Sequence, residues 1–349
     1  MDKTHITSAE KYINITKKKY VYLLGFSIFL ALLFMIDISS GASDYTIIQI
    51  LKTLFDADAM SIQMNVVIWD LRMPIAVMAI LIGMSLSLAG AQMQTILNNP
   101  LADPFTLGIA SAASFGAALA IVLGQGLPVG GQYMITANAF FFAFATSMAL
   151  YAITRLRGVS SETMILVGIA LMFTFGALLA LLQYGSNETQ LQQLIFWTMG
   201  SLGKSTWIKV LVSATLLVGS ISFFYRNVWN MTALRLGDEK AQSMGVDVKK
   251  LRLKMLFVIS LLSALSVSYV GVVGFVGLVG PHIARLIVGE DQRYFLPMSA
   301  LAGAVLMSAT SIISKTLVSG VIFPIGIITS LVGIPFFISL ILKSRRNNW

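Results

Sequence analysis

The sequence predicts an all-α integral membrane protein of about ten transmembrane helices, and three observations carry that prediction. First, 57% of its 349 residues are hydrophobic and 11% are charged, with a mean hydropathy of +0.83. A soluble domain carries roughly 25% charged residues. Second, the apolar residues come in continuous runs. A helix needs ~20 of them to cross ~30 Å of hydrocarbon. Backbone in lipid must satisfy its own hydrogen bonds, and unbroken runs do that as helices. Third, the cationic residues fall on one side of the resulting layout, as cytoplasmic loops require.

The elements follow in order. Residues 1–19 are polar and basic and form an N-terminal segment. The apolar run 20–36 comes next. Lysines before an apolar run, with Ser39-Ser40-Gly41-Ala42-Ser43 after it, resemble a signal peptide. The run exceeds the usual ~7–15 residues, so it reads as an uncleaved first span with its N-terminus inside. The second span covers 66–93 and the third 105–123. Gly124 to Pro128 with Gly130 and Gly131 make a turn. The fourth and fifth cover 133–154 and 163–184, and a short amphipathic piece lies near 191–199. The sixth covers 207–225, before the polar stretch 226–254. Residues 255–288 are too long for one helical span at ~1.5 Å per residue. Gly271, Gly274, Gly277 and Gly280 offer a place to reverse, giving spans seven and eight. The ninth covers 296–314 and the tenth 325–342. Residues 20–349 thus form a single transmembrane domain.

Charge placement tests this layout. With the N-terminus inside, the cytoplasmic segments hold Lys3, Lys11, Lys17, Lys18 and Lys19; Arg155 and Arg157; Arg226, Arg235, Lys240, Lys249, Lys250, Arg252 and Lys254; Arg285 and Arg293; and Lys343, Arg345 and Arg346. Only Lys52, Arg72, Lys204, Lys209 and Lys315 remain outside or buried. The net charge of +9 therefore reads as cytoplasmic loops and not as a nucleic-acid surface. Both termini are expected in the cytoplasm.

The chemistry that is missing is as informative. There is no cysteine and there are two histidines, His5 and His282, which removes thiol chemistry and leaves little for a metal site. The spans are nearly free of acids; Asp37 ends the first, and His282 and Arg285 lie in the eighth. Intramembrane acids mark proton and ion pathways, so ion-coupled transport is disfavoured. No paired acids, metal motif or phosphate-binding loop supports an enzyme. Uphill transport would draw its energy from another subunit. Gly83, Ser87, Gly90 and Ala91 share a helical face, as do Gly108, Ala112 and Gly116. Such faces serve close helix packing more simply than substrate contact.

The segment from Ala233 to Val246 holds Leu236-Gly237-Asp238-Glu239-Lys240-Ala241-Gln242-Ser243-Met244-Gly245. It suits a short helix, with acids at its start and Gly245 as a C-terminal cap. Two readings stand: a plain surface helix, or a docking helix for a cytoplasmic partner.

Several ordered motifs resemble one family. Leu71-Arg72-Met73-Pro74, Gly90-Ala91-Gln92-Met93-Gln94, and Asn99-Pro100-Leu101-Ala102-Asp103-Pro104 with Leu107-Gly108 come first. Phe196-Trp197-Thr198-Met199-Gly200-Ser201-Leu202 with Trp207 follows. Then come Gly274-Phe275-Val276-Gly277-Leu278-Val279-Gly280-Pro281-His282-Ile283-Ala284-Arg285-Leu286, Leu296-Pro297, Pro324-Ile325-Gly326-Ile327-Ile328-Thr329, and Gly333-Ile334-Pro335-Phe336-Phe337. Over residues 66 to 342 the chain resembles the permeases of ATP-driven importers for iron–siderophores, haem and vitamin B12.

The resemblance implies a ten-helix subunit that dimerises around a central path, with a second copy or a paired homologue, in a bacterial inner membrane. It implies a cytoplasmic ATPase that uses ATP and Mg, and a periplasmic or lipid-anchored binding protein. It implies no cofactor or metal on this chain. Residues Leu236, Gly237, Asp238, Glu239, Ala241, Met244 and Gly245, in the loop 230–250, match the family's coupling helix. Arg72 and Lys315 match positions that receive acidic residues of the binding protein; Lys315 falls where arginine is usual, and Ile75 falls where a second arginine is common. Arg72 as a plain interfacial side chain is the alternative. Asn99, Leu101, Ser160 and Ser161 match the inner gate, and Asn98 replaces a frequent arginine. The implied cargo is a ferric siderophore, with haem or vitamin B12 as alternatives. An ion-coupled secondary transporter and a membrane enzyme are the competing classes.

Overall fold

The structure is a computed structural model that describes residues 8–41, 45–55, 61–128, 131–157, 160–318 and 321–344. Lys3, His5, Ala42, Ser43, Gly130, Arg345 and Arg346 lie outside them. Among the described residues the chain is helical apart from its turns and one isolated bridge between Val318 and Val321.

Helix α1 (Ser8–Ser39) is followed by α2 (Ile47–Phe55) and α3 (Ile62–Asn65). A wider π-helical stretch (Val66–Arg72) joins α3 to α4 (Met73–Ile96). Pro74 explains the stretch: it has no N–H to return to the carbonyl four residues back. The ladder shifts by one, so Met73 N–H reaches Ile68 O. A 3₁₀ turn (Pro104–Leu107) precedes α5 (Ile109–Leu123). Then come α6 (Met134–Arg157), α7 (Ser161–Tyr184), α8 (Glu188–Thr198), α9 (Trp207–Arg226), α10 (Val228–Leu234) and α11 (Asp238–Ser243). The last four are α12 (Val248–Val270), α13 (Val276–Val288), α14 (Gln292–Thr316) and α15 (Ile325–Ser344).

Seven of these helices, α3–α4 counted as one, are long and apolar enough to cross a membrane, and three shorter apolar helices bring the number to the expected ten. Several starts are set by caps that the sequence supplies. Ser160 accepts from Thr163 N–H at α7, Thr206 from Lys209 N–H at α9, and Asp247 from Lys250 N–H at α12. Asn187 forms a reciprocal capping box with Gln190 at α8. Each side chain satisfies a donor that the first helical turn leaves open.

Helix α4 is the axis of the bundle and packs on α14, α12, α13 and α9. Small residues permit this. A Cβ on Gly83 would strike the Gly303 carbonyl, and one on Gly90 would strike that of Gly277. Ser87 Oγ donates to Ser299 O at 2.6 Å in the same contact. The small-residue face therefore packs helices. Around it Leu88, Met93 and Ile96 bury against Leu256, Ile259 and Leu296.

The expected corner between spans seven and eight is shorter than the glycine spacing suggested. Only residues 271–275 are non-helical, while Gly277 and Gly280 sit inside α13 and pack on α4. Thirteen residues of α13 span ~20 Å, less than the ~30 Å hydrocarbon layer. The five residues before it are non-helical and turn the chain, with Gly271 at φ 74° and Phe275 at φ 68°. Neighbouring backbone is tied down at this corner: Ser201 N–H donates to Val270 O, Ile325 N–H to Gly200 O, and Gly326 N–H to Met199 O. Irregular backbone at membrane depth is tolerated only when satisfied in this way or lining a cavity.

Burial is uneven. Within an apolar 18-residue stretch of each, 72% of the α3–α4 span is buried, against 6% of α7. An apolar helix so little covered by its own chain faces lipid or another subunit.

Candidate functional site

Helix α4 separates two charged ends by 24 residues, or ~36 Å. Arg72 lies at its start. Arg235, Arg252 and Arg285 converge near its close, beside Ile96, Asn98 and Gln94.

The segment matched to a coupling helix forms the short helix α11. The chain turns into it at Gly237, with φ 103°, a region that glycine alone enters readily. Asp238 and Glu239 occupy its first turn, where the helix dipole favours negative charge. Ala241 is fully buried and pins the helix to the bundle. Leu236 and Met244 are 53% and 61% exposed. With Glu239 and Lys240 also exposed, they make an outward surface of apolar and charged groups.

Beneath α11 lies Arg252, a residue of α12 that is only 4% exposed. Its Nη1 and Nη2 donate to the two carboxylate oxygens of Asp238 at 2.7 and 2.9 Å. Its Nε donates to Ile96 O at 2.7 Å, and Nη2 reaches Ser161 Oγ at 3.5 Å. Charge-assisted bidentate pairs of this kind are the strong ones.

The residues matched to a gate lie around this arginine. Ser161 touches it, and Ser160 caps the same helix α7. Asn99 follows Ile96 by three residues; its N–H donates to Gln94 O at 3.1 Å and its Oδ1 accepts from Leu101 N–H at 2.9 Å. Leu101 is exposed. A second linkage runs beside the first. Glu290 pairs with Arg235 and, at 3.0 Å, with Arg285. Arg235 Nη1 donates to Asn98 Oδ1 at 3.4 Å, and Arg285 Nη2 to Gln94 Oε1 at 2.9 Å. Gln94 Nε2 in turn donates to Gly277 O at 3.3 Å.

At the opposite end, Arg72 and Lys315 are brought together by the close of α1. Arg72 Nη1 donates to Ile38 O and Ser39 O, each at 3.0 Å, and its guanidinium lies over the Tyr45 ring. Lys315 Nζ pairs with Asp37 Oδ1 at 2.7 Å, and Ser311 Oγ donates to the same oxygen at 2.9 Å. The side chains matched to binding-protein docking are thus buried and turned inward.

Two cavities flank the corner at 271–275. One of about 370 Å³ is lined by Trp197, Lys204, Lys209, Tyr269 and Phe323. The other, about 570 Å³, is lined by Asp103, Thr198, Phe275, Leu278, Ile327 and Ser330. Asp103 is held as a cap, its Oδ1 accepting from Phe105 N–H at 3.1 Å. Among the described residues no cluster of three or more histidines, cysteines or acids is placed to hold a metal. In the basic loops, the Asp291 carboxyl is held below its usual range by its bonds from Arg293, and Asp247 by its bonds from Lys250.

The model of the FecCD transport family matches residues 29–343. The chain belongs to the FecCD transport family. The hemin transport system permease protein HmuU of Yersinia pestis is 33% identical over 80% of this chain and 84% of that protein. The vitamin B12 import system permease protein BtuC of Vibrio vulnificus is 36% identical over 79% of this chain and 82% of that protein. A solved inward-facing metal-chelate type ABC transporter superposes with a TM-score of 0.81 at 30% identity, over 92% of this chain and 99% of the other. This FecCD member is therefore an all-α, multi-pass ABC transporter permease.

Two features of the site escaped the sequence reading. Arg252 and Glu290 look like ordinary charges of polar loops, because their partners are remote. Arg252 lies 156 residues from Ile96. The buried amides Gln92 and Gln292, paired at 3.1 Å, were equally silent, although a glutamine amid apolar residues is a signal that could have found them.

Proposed function

We propose that this chain is the permease subunit of an ABC importer that carries a ferric siderophore across the bacterial inner membrane. The observation that carries the reading is α11: an outward surface of Leu236, Glu239 and Met244, braced from below by Ala241 and Arg252. A cytoplasmic ATP-binding subunit, using ATP and Mg, docks there. A second permease, identical or homologous, covers the exposed span α7. The basic end bearing Arg235, Arg252, Arg285 and Arg293 faces the cytoplasm, as the positive-inside rule requires. ATP-driven closure of the ATPase moves α11, and the inner gate at Asn99, Leu101, Ser160 and Ser161 opens or closes in response.

A periplasmic or lipid-anchored binding protein docks at the other end. Arg72 and Lys315 serve it by holding the close of α1 in place, and an incoming carboxylate would have to displace Asp37 to reach Lys315. Residues 20–349 act as one transmembrane domain, with 1–19 and the loop 230–250 on the cytoplasmic side. The siderophore assignment draws support from the solved relative, which is described as a metal-chelate type transporter. The relatives named for hemin and vitamin B12 favour haem or vitamin B12 as the second reading.

The test is uptake in iron-starved cells with and without the chain. Radioiron is offered on several siderophores, alongside haem and vitamin B12, with ATP or the proton gradient depleted separately. Chain-dependent, ATP-dependent uptake of one ferric siderophore is expected. Uptake of haem or vitamin B12 alone would move the cargo, and gradient-driven uptake would remove the ABC reading.

A further inference from the structure

We infer that Arg252 is the positioning residue that passes movement of α11 to both sides of the inner gate. The inference rests on the reading of α11 as the ATPase dock and adds the part through which that dock acts. One guanidinium joins four elements: its own helix α12, α11 through Asp238, the close of α4 through Ile96 O, and the start of α7 through Ser161.

The geometry makes this a rigid joint. A planar fork with both Asp238 oxygens seated cannot swivel without losing a bond. Its Nε bond goes to a carbonyl of the last turn of α4, a group with few helical partners and a negative dipole end. Burial of Arg252 limits the access of water to its N–H groups, while the Asp238 side chain stays 45% exposed. Displacement of Asp238 therefore pulls the fork, and the fork pulls Ile96 and Ser161. Ile96 leads within five residues to Asn99 and Leu101, and Ser161 begins the least covered span. The parallel linkage through Glu290 leads instead to α13, by way of Arg285 and Gln94. Arg252 is thus the point where the two halves of the gate meet the dock.

The chain has no cysteine, so Leu101→Cys gives a unique labelling site for a bimane fluorophore at the gate. The labelled chain is assembled with its ATPase, and bimane emission is read before and after MgATP with vanadate. In the parent a nucleotide-driven emission shift is expected. In Arg252→Met the shift is lost while the ATPase still co-purifies. In Arg252→Lys, which keeps the charge but not the fork, the shift is cut by half or more. A full shift in Arg252→Met would overturn the relay, and so would loss of ATPase co-purification, since Arg252 would then only shape α11. Should the Arg252 variants fail to insert, Asp238→Asn decides: a shift reduced severalfold supports the relay and an undiminished one overturns it. No emission response in the labelled parent would overturn the docking reading itself, and the relay with it.

Discussion

Lys315 and Asp37 form an ion pair at 2.7 Å between residues 278 positions apart, and both side chains are buried. The pair ties α1 to α14 at the end of the bundle where Arg72 holds the neighbouring carbonyls of Ile38 and Ser39. Removing one partner strands a buried charge.

Asp37→Asn should therefore destabilise the protein by about 3–5 kcal/mol, whereas replacing both partners with apolar residues should be close to neutral. Thermal unfolding in detergent of Asp37→Asn and of the double variant Asp37→Leu/Lys315→Met checks this. Equal losses in both would mean that the pair is not what holds α1.

The α4–α13 crossing depends on the absence of a side chain at Gly90. Gly90→Val drives atoms into the Gly277 carbonyl, and overpacking of this kind costs about 1–3 kcal/mol or more. A Cβ added at Gly25 would meet nothing within 4 Å, so Gly25→Ala should fold and express like the parent. Yields of monodisperse protein after solubilisation would separate the two.

At the proposed dock, charge reversal by Glu239→Lys or bulk at Gly237 should lower ATP-driven uptake by ~10-fold, within the range of coupling energies between sites. Proteoliposomes carrying the permease, its ATPase and the binding protein give the rate. Normal uptake in both variants would remove the coupling assignment.

Asp291 caps α14 and accepts from Arg293 N–H, Nε and Nη2. Its carboxyl is held low chiefly by the Arg293 side chain. A depressed acid contributes stability that is fully present above its unfolded value, ~3.9, and is lost as pH falls through its folded value. Asp291→Ala should cost about 0.5–2 kcal/mol at neutral pH, as lost caps do, and progressively less below pH ~4. Melting curves of parent and variant from pH 3 to 7 should converge at the acid end.

Much of the molecule was legible in one dimension because a bilayer imposes one-dimensional rules. Apolarity marks all ten helices, and length as well marks seven of them, since a full span must cover a fixed thickness with its hydrogen bonds closed. Lysine and arginine placement predicts their orientation. The small helix at Asp238 was legible too, from its flanking glycines and leading acids. Helices α2 and α10 were not, because short amphipathic pieces at a membrane surface obey no length rule.

What only the tertiary structure decided is which polar groups meet. Arg72 and Lys315 read only as cations outside or buried; packing of α1 against α4 and α14 decides for burial, because Asp37 and the α1 carbonyls offer partners that the sequence does not place nearby. Arg252 read as one more cytoplasmic charge, yet packing of α4, α7, α11 and α12 closes four elements around it. Apolar periodicity follows from each segment's own solvent, so a segment reports it alone. A buried polar contact exists only when two distant segments converge, and that convergence belongs to the fold.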